Sequence, residues 1–71
     1  MDFRVTVDMI GPGGGSVIEE MFATGKEADA FVASLTQEGG VLDGLGCPVT
    51  IAIEEMCNGR WTVASRRLVR T

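Results

Sequence analysis

The chain has no histidine and no tyrosine among its 71 residues. Without histidine, the commonest general base and one of the commonest zinc ligands are both missing. Cysteine is scarce: Cys47 and Cys57 are the two present. Their spacing fits no zinc motif. If the segment between them is extended they stand about 33 Å apart, beyond disulfide reach. Free thiols in a reducing compartment are expected. No apolar run is long enough to span a bilayer. The N-terminal stretch MDFRVTVDMI carries Asp2 where a signal peptide has a basic region, and alternation where it has an apolar block. No membrane partner is expected, and the cytoplasm is the expected location.

What is present suits a single small folded domain over residues 1–71. Hydrophobic residues make up 45% and charged residues 23%, too apolar a mixture for disorder. A chain this short buries only roughly 60% of its unfolded surface, so its core must be well packed. The net charge of −4 is unevenly spread. All ten acids lie in residues 1–57 against Arg4 and Lys26, whereas residues 58–71 carry Arg60, Arg66, Arg67 and Arg70 and no acid. An acidic chain repels nucleic acid, and no aromatics interleave with the arginines to stack bases. A protein partner fits the asymmetry better than a nucleic acid.

The first strand is explicit. Phe3, Val5, Val7 and Met9 alternate with Asp2, Arg4, Thr6 and Asp8, as in a half-buried strand. GPGGGS follows, then SVIEEMFA, which reads as an edge strand. There Ile18 and Phe22 share a face with Glu20, and Val17 and Met21 share the other with Glu19. Thr24-Gly25-Lys26-Glu27 has the form of a capping box. Ala28, Phe31, Val32 and Leu35 then fall on one helical face. Gly39-Gly40 supplies a stop, so the spacing predicts a helix from Gly25 to Glu38. Residues 40–48, GVLDGLGCP, have no period and read as a loop, with Val41, Leu42 and Leu45 expected beneath it.

Two further strands, VTIAIEEMC and RWTVASRRLV, flank Asn58-Gly59, a strong hairpin signal because both turn residues need positive φ. A two-residue turn sets Cys57 against Arg60, Met56 against Trp61, Ile53 against Ala64 and Val49 against Leu68. Val49, Ile51, Ile53, Ala64 and Leu68 then make the face that meets the helix. Trp61, Met56 and Val63 lie on the other face with Ser65 and Arg67, as a candidate interface. A wider turn shifts the register by one and makes Trp61 core; both registers stay open at this stage.

The order strand, strand, helix, strand, strand defines an α+β, ββαββ domain. An antiparallel sheet that keeps both hairpins can be ordered 2-1-3-4 or 1-2-4-3. The regular, apolar first and third strands belong in the centre, which favours 2-1-3-4 with one helix on one face. Acidic strand two and arginine-bearing strand four are then the edges, and their opposite charges could pair between copies in a homodimer or merely keep each edge soluble.

No activity is legible. A P-loop needs Lys-Ser/Thr and a helix after its glycines, and GPGGGS is followed by a glutamate-bearing strand. It reads as a hairpin tip with a contact-loop role left open. Ser16, Ser34 and Ser65 have no base beside them. The pairs Glu19-Glu20 and Glu54-Glu55 each straddle two faces of a strand and cannot share a site. No enzyme activity, metal or cofactor is expected.

In size, acidity and element order the whole chain resembles small phage or mobile-element inhibitors of bacterial defence, the anti-CRISPR type, which share no common sequence. The resemblance implies a compact cytoplasmic protein that blocks a larger complex by surface contact, sometimes with acids standing where DNA phosphates bind. The matching acids are Glu19, Glu20, Glu54 and Glu55, with Asp8 nearby. The four C-terminal arginines depart from a pure DNA-mimic pattern. The residues expected to meet a protein partner are Glu19, Glu20, Glu54, Glu55, Met56, Trp61, Arg66 and Arg67. The other reading is a self-associating structural or accessory domain.

Overall fold

The computed structural model describes residues 2–11 and 13–70, so Pro12 of the glycine-rich loop lies outside the described residues. Its elements are β1 (Phe3–Met9), β2 (Ser16–Phe22), α1 (Gly25–Thr36), β3 (Val49–Cys57) and β4 (Arg60–Val69). The strands form one antiparallel sheet in the order β2-β1-β3-β4, with α1 on one face. The ββαββ order and the central position of β1 agree with the sequence. Val5 and Val7 on β1 are fully buried and lie opposite Ile53 and Ile51 of β3. A strand buried that completely needs a neighbour on each side, which is why the two most apolar strands occupy the centre.

Helix α1 begins where its cap dictates. The Thr24 hydroxyl accepts the Glu27 backbone N–H at 3.2 Å and donates to the Glu27 carboxylate at 3.3 Å. The carboxylate thus meets the hydroxyl and not the Thr24 amide. Thr24→Ala is expected to lower stability by about 1 kcal/mol in urea unfolding; an unchanged midpoint would show the cap to be idle. Ala28, Val32 and Leu35 are buried, and Phe31 packs on Phe22 with ring centroids 5.1 Å apart. The helix ends at Thr36, two residues short of the expected Glu38. Gln37 turns out into an extended conformation, and Gly39, at φ +79°, reverses the chain. Gly40 must be glycine, since a Cβ there would stand 2.5 Å from the Ser34 carbonyl oxygen.

Of the three loop hydrophobes expected to be tucked in, only Leu42 is buried, at 2% exposure. Val41 is 70% exposed and Leu45 37%. The Leu42 amide donates to the Leu35 carbonyl, and the Asp43 carboxylate accepts the Gly39 amide at 2.9 Å. This small closed turn aims one leucine into the core and its neighbours outward.

The second hairpin turns at Asn58 and Gly59, with φ of 51° and 82°. Cys57 faces Arg60 and Met56 faces Trp61, as the two-residue turn requires. Beyond that point the expected register fails. Val63 pairs with Glu54 and Ser65 with Ile53, leaving Ala64 as the extra residue of a β-bulge. A one-residue insertion exchanges the two faces of everything after it. Val49 therefore faces Val69, which packs against the core, and Leu68 is 52% exposed. Ser65 and Arg67 move to the helix side, and Arg66 moves to the opposite face.

Candidate functional site

A single helix covers one side of the sheet, and α1 lies nearest β1 and β2. The opposite face has no covering layer among the described residues. Strand alternation places Arg4, Thr6 and Asp8 of β1 there, beside Thr50, Ala52, Glu54 and Met56 of β3. From the edges come Glu19 and Met21 of β2, and Trp61, Val63, Arg66 and Leu68 of β4.

Arg4 organises this face. Its Nε and Nη2 donate to the two carboxylate oxygens of Glu54, each at 2.9 Å. Its guanidinium carbon also lies 4.6 Å from the centre of the Trp61 ring. The flat fork suits both contacts, because a planar guanidinium can bind a carboxylate edge-on while its face stacks on an indole. The hydrogen bonds to Glu54 raise the Arg4 pKa above its ordinary value; partial burial opposes this, and the charges of Glu54 and Glu19 add to the rise. The guanidinium is thus held charged. At the other end of the face, Ser16 donates to Asp8 at 2.7 Å.

Arg4→Lys tests this geometry. A lysine offers one point charge and no plane, so Trp61 loses its cover. Trp61 is the only tryptophan. Its fluorescence is expected to shift to longer wavelength and to become more accessible to acrylamide. Unchanged emission would mean that the stack does not persist in solution.

Around this polar centre the face is apolar and accessible. Met21 is 41% exposed, Val63 49% and Leu68 52%, and Trp61 is half-buried. Of the eight residues expected to meet a partner, Glu19, Glu54, Met56, Trp61 and Arg66 share this face. Glu20, Glu55 and Arg67 point to the helix side. The four glutamates therefore form no single acidic face. Glu54 is matched by Arg4, and Arg66 stands across Ala52 from Thr6. Sequence reasoning left Arg4 out of the partner-facing set. The available signal was its place as the one basic residue on the polar side of β1.

The described residues define an open-faced α+β sheet domain with an arginine–tryptophan–glutamate cluster on its bare side. No family model matches the chain, and no curated protein or solved structure is significantly similar to it. Among the described residues, no helix is long and apolar enough to cross a membrane.

Proposed function

We propose that this chain is a non-enzymatic protein-binding domain and that its partner docks on the open face of the sheet. The observation that carries this reading is the Arg4 side chain, held between Glu54 and Trp61 on a face whose surrounding apolar residues are exposed. Tryptophan, arginine and methionine are the side chains that dominate interface cores. Here Arg4 and Trp61 are pre-ordered by their mutual contact and by Glu54, so less side-chain entropy is lost on binding. The face is mixed in charge, which favours recognition of a protein surface over mimicry of a phosphate array.

The resemblance to phage-encoded inhibitors makes a bacterial defence complex the first partner to test, with inhibition by contact as the mode of action. The test compares two exposed substitutions. Val63→Glu puts a charge on the open face; Ala30→Glu puts one on the exposed surface of α1. Co-purification and inhibition by the native chain should be lost with Val63→Glu and kept with Ala30→Glu. Equal behaviour of both variants would count against the open face.

A further inference from the structure

We propose that copies of this chain associate head to tail, edge strand β4 of one pairing with edge strand β2 of the next. The inference rests on the sheet edges and is independent of the reading of the open face. Both outer strands present unpaired backbone donors and acceptors along one side, the usual template for adding a strand. Their charges are opposite and are arranged alike. β2 carries Glu19 on the open face and Glu20 on the helix side, and β4 carries Arg66 and Arg67 in the same way. Among the described residues, none of these four has an ion-pair partner within its own chain. Pairing of like edges would set arginine against arginine or glutamate against glutamate, whereas pairing of unlike edges brings opposite charges together on both faces.

Strand direction permits this join. β1 is antiparallel to β2 and β3, and β3 is antiparallel to β4. It follows that β4 and β2 run in opposite directions. A second copy placed alongside in the same orientation extends the antiparallel sheet, and its helix stays on the same side. A register with Glu20 opposite Arg67 also sets Ile18 opposite Val69 and leaves Glu19 diagonal to Arg66.

The position of α1 supplies the remaining contact. Because the helix lies nearest β1 and β2, a groove of about 500 Å³ stays open between it and strands β3 and β4, floored by Ile51 and Ile53, walled by Val32 of the helix and flanked by Arg67. The next copy carries its helix above its own β2, immediately beside this groove, and would close it. The contact joins two different surfaces, so it does not end at two copies.

Sedimentation velocity across a concentration series, at low and high salt, tests the proposal with Glu20→Lys, Arg67→Glu and the double variant. Both positions are exposed and lie off the open face, so partner capture by that face is a separate readout. The native chain should grow beyond a dimer as concentration rises and dissociate as salt screens the edges. Each single variant should need roughly tenfold more protein to associate, the size of exchanging an attractive cross-strand pair for a repulsive one. The double variant should recover. A native chain that is monomeric throughout, a dimer as the end state, or a double variant no better than the singles would each overturn the proposal.

Discussion

Replacing Trp61 by alanine is expected to leave the domain folded and, if the open face is the proposed docking surface, to weaken partner binding. Trp61 sits over the Arg4 guanidinium on the uncovered side of the sheet, outside the cluster of buried side chains beneath α1. Its loss should therefore cost little stability, about 1 kcal/mol, measured by far-UV circular dichroism in urea because the variant has no tryptophan left to report. The cost in binding should be much larger. A central aromatic anchor contributes about 2 kcal/mol or more to an interface, a loss of roughly 30-fold in affinity. Loss of cooperative unfolding in the variant would instead mean that Trp61 supports the fold.

Leu42→Ala is expected to lower stability by about 2–5 kcal/mol, a large share of what a small domain has. Val41→Ala, one residue away, should change it by no more than about 0.5 kcal/mol. Composition does not separate the two residues, since both are apolar and both sit in an aperiodic glycine-rich loop. They differ because Leu42 lies on the inner side of the turn that the Leu35 carbonyl and the Asp43 side chain close. Its side chain is 2% exposed against 70% for Val41. Urea midpoints of the two variants measure the contrast, and equal losses would show that the loop does not hold this conformation in solution.

Much of the fold was legible in local signals. Alternation over Phe3–Met9, the Thr24–Glu27 cap, the helical face of Ala28, Val32 and Leu35, and the Asn58-Gly59 turn are each decided within a few residues. Strand directions then left two sheet orders, and burial selected one. The candidate site was less legible. The placement of Trp61 and Met56 followed from the turn, which is close to them in sequence. Arg66 and Arg67 lay beyond the bulge at Ala64, where the face of every residue depended on an insertion that the sequence does not announce. The small pair Ala64-Ser65 marks the place only in retrospect.

The sequence by itself determined which segments are strands and helix, where they start, and which way the chain turns between them, because those choices depend on side-chain period, cap and turn residues acting over short distances. Only the tertiary structure decided three things. It set the faces of β4 after its bulge, exposing Leu68 and bringing Val69 to the core. It chose Leu42 over its neighbours. It also brought Arg4 between Glu54 and Trp61, residues 50 and more positions away. Each depends on contacts across the sheet between distant segments, whose geometry exists only once the strands are paired.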